Sequence, residues 1–500
     1  MIPYERLKSR FFNINNLRNV IKILDRDMIT VMPSGASRDR TNQIVSISEQ
    51  IHANMTAPQM GDDIEQAYQH KTNLPKKDQI NLELMKRSYD RTACLSDEIV
   101  SERARLANLG KQNHTAWRAA RDWDKMRAHL EQTVSLNREI AAARYEALQT
   151  DDPYDTLIDD YDPYGSGKHI KSIFDPVEDF LKQALPEAIE KSKNKTPPKE
   201  IPGPFHQESH EALHEHICRD LGFDFDRGVM YMVDQHPSCY GSPDDVRFTT
   251  RAYEHEYKEA LRATIHEVGH GLYEQNLDPD YRYQPVGDAV GMTIHESQSL
   301  FWEKQIGNHP NFFKYLSPLL SQYFNMPAHH ESLSPENLAA DGGIVAPDYI
   351  RIEADEMTYP MHIFLRFDLE RKLIAGTLDV KDLPEVWNEG MKDRLGIVPP
   401  DHSLGCMQDI HWPMGAFGYF PSYSLGAIVA AQLAAKMRHE IDSFDENVAA
   451  GDFAPILRWL IENVHMKGSS LTPMDLVKEA TGEELTPNYF INHLKRRYIH

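Results

Sequence analysis

Apolar residues recur at intervals of three and four in five stretches of the chain: Ile14 to Leu24, Thr115 to Leu148, Ile173 to Ile189, Ser424 to Ile441 and Phe453 to Val464. That spacing gathers side chains on one stripe of a 3.6-residue turn, so each stretch predicts an amphipathic helix with one buried face. Alternating β-branched runs, the mark of half-buried strands, are scarce. No repeat or low-complexity block interrupts the pattern, and the most proline-rich segment, Thr196 to Pro204, reads as a short connection between helical segments. The pattern predicts an all-α, mainly helical protein. Its 500 residues can bury a large core and could divide into several domains, yet no linker marks a division. The expectation is one unit, residues 1–500, with two lobes around a cleft.

The segment Tyr253 to Glu274 reads as a further helix and carries His266-Glu267-Val268-Gly269-His270. Imidazoles four residues apart stand about 6 Å apart along the axis on one face, close enough to share a Zn²⁺. Glu267 projects to the edge of that face, where it is placed to take a proton from a water on the metal. Leu261, Ile265, Val268 and Leu272 form a stripe on the other side of the helix. A second match, His210-Glu211-Ala212-Leu213-His214, is one that 24 histidines in 500 residues make unsurprising. There the histidines share the stripe of Leu213, Ile217 and Leu221, with glutamates on the flanks, as in an ordinary half-exposed, solvated helix. The third ligand separates the two. After His270 come a loop, Asn276 to Gly287, and a helical stretch in which Glu296 faces away from Ile294 and Phe301; the window after His214 offers Asp234 and His236 but no Glu. His266, His270 and Glu296 are therefore the candidate ligands, leaving the fourth position open as catalytic zinc requires.

Charge narrows the partners. Lys and Arg number 54 against 76 Asp and Glu, a net charge of -22, which argues against nucleic acid. The start, Met1-Ile2-Pro3-Tyr4-Glu5-Arg6, lacks the apolar core of a signal peptide, and no run of about 18 apolar residues predicts a membrane span. Cys94, Cys218, Cys239 and Cys406 are scattered without CxxC spacing, so the expected setting is a reducing cytoplasm with the thiols as buried small hydrophobes.

Four more segments are unusually polar for helix faces: Asp245-Val246-Arg247-Phe248-Thr249, preceded by His236-Pro237; Ile350 to Asp355; Gly405 to Trp412; and Gly418 to Tyr423. Singly, each has a plain alternative, with Arg351 as a surface ion pair, His411 as a core histidine and the tyrosines as core aromatics. Together they resemble the M32 family of metallocarboxypeptidases, whose motifs DxRxT, HExxH, HES, IRxxAD and GxxQDxHW occur here in that order. The likeness runs from Leu24-Asp25-Arg26-Asp27 and Met32-Pro33, through Tyr359-Pro360-Met361-His362, to Tyr489-Phe490. It implies a saddle-like helical fold with a deep groove, a homodimer, and removal of C-terminal residues from peptides with broad side-chain tolerance. It also implies His266, His270 and Glu296 as ligands and Glu267 as the base. Where relatives often read His-Pro-Phe, this chain has His236-Pro237-Ser238-Cys239-Tyr240, a departure that bears on the pocket near His236 and not on the metal chemistry.

Peptide hydrolysis needs an activated water, a stabilised oxyanion and a proton for the leaving amine. One Zn²⁺ per chain, with Co²⁺ as an alternative, and Glu267 meet the first and last needs. Tyr423 is the expected second oxyanion donor, with His411 and Tyr419 as alternatives. A substrate's α-carboxylate calls for an arginine fork; Arg351 leads, Arg247 follows, and His236 and Tyr419 are expected in the substrate pocket. Two other functions share the motif. An endo-acting oligopeptidase would lack the carboxylate clamp and cut amidated peptides, whereas a scaffold with a structural metal would have no use for Glu267.

Overall fold

Helices occupy every stretch that the hydrophobic pattern marks, and two of the five run past both of its ends. In the computed structural model, which describes residues 2–234, 237–340 and 343–500, the first helix spans Pro3–Thr30 and others span Gly167–Lys193, Pro421–Glu440 and Ala454–Asn463. The stretch from Thr115 to Leu148 is divided between two helices, Asp97–Ala119 and Trp123–Leu148. The break has a local cause: Arg121 takes a left-handed φ of 55°, and the Asp122 carboxylate accepts the Lys125 N–H at 3.1 Å, capping the second helix.

The chain gathers into two compact units, one of Met1–Tyr89, Thr196–Gly342 and Val429–Leu485, the other of Asp90–Lys195, Gly343–Ile428 and Thr486–His500. The first unit holds a small sheet that the hydrophobic pattern does not announce. Strand β1, Gly228–Met232, pairs in parallel with β3, Asp245–Thr250, while β2, Cys239–Ser242, pairs with the other edge of β3 in antiparallel. Val246 and Phe248 are buried, and Thr250 bonds Thr264 at 2.6 Å, so alternate residues of β3 face the helix Lys258–Gln275. Tyr4, Leu7, Phe11 and Ile14 of the first helix pack with Met55, Met60 and Ile64 into a separate apolar cluster.

The second unit is helical, with an aromatic cluster within its core. Phe174 of Gly167–Lys193 lies between Phe364 and Phe367, with ring centroids 4.5 and 5.6 Å away. Among the described residues no helix is long and apolar enough to cross a membrane, and the four cysteines are unpaired.

Candidate metal centre

The helix bearing His266 begins at Lys258, later than the polar pattern from Tyr253 suggests. Glu256 stops it there: its carboxylate accepts the backbone N–H groups of Lys258 and Glu259 at 2.6 and 2.8 Å, where the first turn has donors to spare. Leu261, Ile265, Val268 and Leu272 are buried as their stripe predicts. Gly269, inside the motif, sets the distance to the next helix, Gly291–Leu300. A methyl group at Gly269 would lie 2.7 Å from Ser299 Cα and 2.8 Å from the Gln298 carbonyl oxygen, both backbone. Only glycine permits that approach, and the approach carries Glu296 to the histidines.

Glu296 Oε2 lies 3.8 Å from His266 Nε2 and 3.4 Å from His270 Nε2. The three donor atoms sit within 4.8 Å of one another, the one such trio of His, Cys, Asp or Glu among the described residues. His266 Nδ1 lies 2.9 Å from Glu303 Oε2. A carboxylate only accepts, so Nδ1–H donates and the Nε2 lone pair is left for a metal. Glu303 sits on a wide π-helical turn, Phe301–Ile306, that continues the Glu296 helix, and it pairs with Lys304 at 2.5 Å. His270 Nδ1 meets His295 Nδ1 at 2.6 Å, and His295 Nε2 lies 3.0 Å from Glu274 Oε1. Glu303, Glu274 and His295 carry no predicted role, although helical spacing puts Glu274 one turn beyond His270 and Glu303 two turns beyond Glu296.

The electrostatics suit a dication. Glu267, Glu274, Glu296 and Glu303 surround three imidazoles. Burial pushes the Glu267 carboxyl up to about 7, with Glu296 and Glu303 adding and His266 and Arg26 opposing. Burial also works to lower His266, but Glu296, Glu303 and Glu267 lift it to about 9. Burial brings His270 down to about 4, against the pull of Glu296, with the His266 imidazole adding to the fall. Two imidazole nitrogens and one carboxylate oxygen, each ring braced from behind, form a donor set that fits a catalytic divalent metal. Arg26, fully buried, donates to Ser238 O at 2.9 Å and Ser238 Oγ at 3.1 Å and stacks on Tyr240, tying the first helix to the entry of β2.

The second run, His210 to His214, departs from the expectation of a solvated helix. Both imidazoles are 0% exposed. Phe205 and Phe324 cover His210, whose Nε2 lies 3.0 Å from Tyr253 O, while His214 Nδ1 meets Thr264 Oγ1 at 3.0 Å. Apolar neighbours on Gln207–Asp220 draw the stripe inward and the histidines with it.

Four of the remaining predicted residues come together in the second unit. Arg351 is buried, not a surface pair: Nε and Nη2 donate to Asp409 Oδ1 at 3.0 and 2.8 Å, and Nη1 to Tyr359 Oη at 2.6 Å. Arg366 donates to Asp409 Oδ2 at 2.6 Å. Tyr423 lies under Arg351 and 3.2 Å from His411 Nε2, and the rings of Tyr419 and Tyr423 meet edge to face. Burial lowers His411 to about 3, so the ring is neutral. Arg247, in the first unit on β3, binds Asp245 with Nε at 2.7 Å and Nη2 at 3.0 Å. His236 lies outside the described residues.

The family model described as Carboxypeptidase Taq (M32) metallopeptidase matches residues 6–498. The chain belongs to that family. Carboxypeptidase 1 of Bacillus subtilis is 33% identical over 488 residues, covering 97% of this chain and 96% of that protein. Thermostable carboxypeptidase 1 of Pyrococcus furiosus is 32% identical over 499 residues, 99% and 98% of the two chains. The solved Trypanosoma cruzi metallocarboxypeptidase 1 superposes with a TM-score of 0.95 at 36% identity, covering 100% of this chain and 99% of its own. This M32 chain is thus a metallocarboxypeptidase of the all-α metallopeptidase fold, an enzyme that acts on peptides with the help of a divalent metal.

Proposed function

We propose that the protein hydrolyses the C-terminal bond of peptides, releasing one residue at a time with broad side-chain tolerance, through one Zn²⁺ held by His266, His270 and Glu296. The observation that carries the reading is the trio of donors with a buried, non-ligating Glu267 beside it. A divalent ion in such a site acidifies water and polarises a carbonyl. Glu267 takes the proton of the attacking water and returns it to the leaving amine. A carboxyl raised to about 7 by burial is a stronger base than an ordinary glutamate and still ionises near neutrality. Tyr423 donates to the developing oxyanion, and His411, neutral and 3.2 Å from its hydroxyl, orients it.

Arg351 receives the substrate's α-carboxylate. Two guanidiniums, Arg351 and Arg366, share the carboxylate of Asp409, which gathers positive charge at one buried point of an otherwise acidic protein. Arg247 has spent its fork on Asp245 one to one, and is the weaker candidate. Tyr419 lines the substrate pocket, and His236, assigned to the same pocket from its sequence, lies outside the described residues. Residues 1–500 are counted in this reading as a single catalytic domain of the M32 type. Co²⁺ is the alternative ion for the same donor set, four unpaired cysteines fit a cytoplasmic setting, and family likeness favours a homodimer.

The test is a mass-spectrometric time course on one peptide with a free C-terminus and on its amide. Loss of single C-terminal residues from the acid, with the amide cut at least about 30-fold more slowly, is expected from a charge-assisted contact worth about 2 to 5 kcal/mol. In Arg351→Ala the two substrates become nearly equal and poor. Efficient internal cleavage of the amide replaces the carboxypeptidase reading with an oligopeptidase one, and an indifferent Arg351→Ala moves the clamp to Arg247.

A further inference from the structure

The two ligand histidines are held from behind in different ways. His266 Nδ1 meets a carboxylate directly, whereas His270 Nδ1 meets a second imidazole at 2.6 Å, and that imidazole meets the Glu274 carboxylate through Nε2 at 3.0 Å. Two ring nitrogens at 2.6 Å share one proton. Glu274 accepts only, so the ring nitrogen that meets it, His295 Nε2, donates, and His295 Nδ1 is left to accept. The shared proton then belongs to His270 Nδ1. His270 Nε2 is left bare, facing Glu296 Oε2 at 3.4 Å. The two helices that carry the ligands also carry the braces of His270: Glu274 follows His270 on Lys258–Gln275, and His295 precedes Glu296 on Gly291–Leu300. Tyr273, itself buried, lies against the His295 ring at 5.4 Å and limits its rotation.

We propose that Glu274 and His295 form a two-link relay that locks His270 in the metal-binding tautomer, making both of them positioning residues for the metal. Glu274 touches no ligand. Without it, His295 is free to carry its proton on Nδ1, which turns that nitrogen into a donor toward His270. His270 must then accept at Nδ1 and protonate Nε2, and a protonated Nε2 cannot bind a metal.

The proposal rests on the ligand set above, and the experiment separates the two. Zn²⁺ affinity is measured by chelator competition for the wild type, Glu274→Leu, His295→Leu, His295→Asn, the double variant Glu274→Leu/His295→Asn, and the ligand variants His266→Ala and Glu296→Ala. Thermal unfolding of each metal-free form accompanies it. Glu274→Leu and His295→Leu are expected to weaken Zn²⁺ about 10- to 100-fold. His295→Asn recovers most of the loss, because the amide oxygen accepts from His270 Nδ1–H with no help from Glu274. On that background Glu274→Leu costs almost nothing, an epistasis that simple loss of packing does not produce. If His295→Leu does not fold, Glu274→Leu and the double variant carry the test. Wild-type affinity in Glu274→Leu, or equal losses for Glu274→Leu with and without the asparagine, overturns the relay. Retention of Zn²⁺ by His266→Ala or Glu296→Ala instead overturns the ligand set on which it stands.

Discussion

Replacing Asp409 by Asn removes the anion that two buried guanidiniums share. Three charge-assisted bonds end on its carboxylate, two from Arg351 and one from Arg366, and Arg366 is 0% exposed. Breaking a buried pair from one side costs about 3–5 kcal/mol, because the partner charge stays buried without compensation. With an unfolding entropy of about 2.1 cal/mol/K per residue, the 500-residue chain should lose about 3–5 °C in Tm if it unfolds as one. The pH dependence gives a sharper check. Burial acts to raise the Asp409 carboxyl, but Arg351 and Arg366 hold it far below the usual carboxylate range. A carboxyl depressed in the folded state contributes stability that is complete above the unfolded value, about 3.9, and is lost as pH falls below it. The gap between wild type and Asp409→Asn is therefore constant from pH 7 to about 5 and narrows below pH 4 by about 1.4 kcal/mol per unit. Urea unfolding of both proteins at pH 7, 5 and 3 measures it. An unchanged midpoint at pH 7, or a gap that widens toward pH 3, refutes the assignment of Asp409 as the shared counter-ion.

Three further outcomes follow from the metal centre. Glu267→Gln is expected to keep about one metal per chain by elemental analysis while kcat falls by about 10² to 10⁴, since it abolishes proton transfer without touching the ligands; residual turnover near the wild-type level sinks its role as base. Gly269→Ala places a methyl group 2.7 Å from the backbone of Ser299, so the helices must separate: unfolding free energy should fall by about 1–3 kcal/mol and Zn²⁺ affinity with it, and wild-type affinity in a chelator titration would show that the close approach is not needed. His214→Leu should lower stability by about 1–3 kcal/mol, through loss of the bond to Thr264, while metal content stays at the wild-type level. Loss of metal in that variant contradicts the buried, structural reading of the second histidine run.

The helices were legible because their stripes are long, and the candidate ligands because helical spacing puts His266 and His270 on one face of their helix and Glu296 on the polar side of the next. The sheet was not. Its strands have five, four and six residues, and Asp245-Val246-Arg247-Phe248-Thr249-Thr250 alternates for too short a distance to stand out from a loop. The start of the metal helix was misplaced because Glu256 caps it through two backbone donors, a contact that leaves no trace in the periodicity of apolar residues. The surroundings of Arg351 were hidden for another reason. Arg351, Arg366 and Asp409 are far apart in sequence, and charged residues at such spacing resemble any surface pair until the fold brings two cations onto one anion.

Two runs with the same spelling show what the motif leaves out. At His266 and His270 both rings turn Nδ1 toward a brace and Nε2 toward Glu296, so both present the same nitrogen to one point. At His210 and His214 the rings use opposite nitrogens: Nε2 of the first meets a backbone carbonyl, and Nδ1 of the second meets a hydroxyl. The nitrogens left over, His210 Nδ1 and His214 Nε2, have no hydrogen-bond partner among the described residues, and no carboxylate completes a trio with them. Burial drives His214 down to about 3, as expected of an imidazole kept neutral inside an apolar wall. A histidine becomes a metal ligand when an acceptor takes the proton from its far nitrogen and anionic charge stands at its near one. Spacing places two imidazoles on one face of a helix; Glu303, His295 and Glu274 decide which of them can hold a metal.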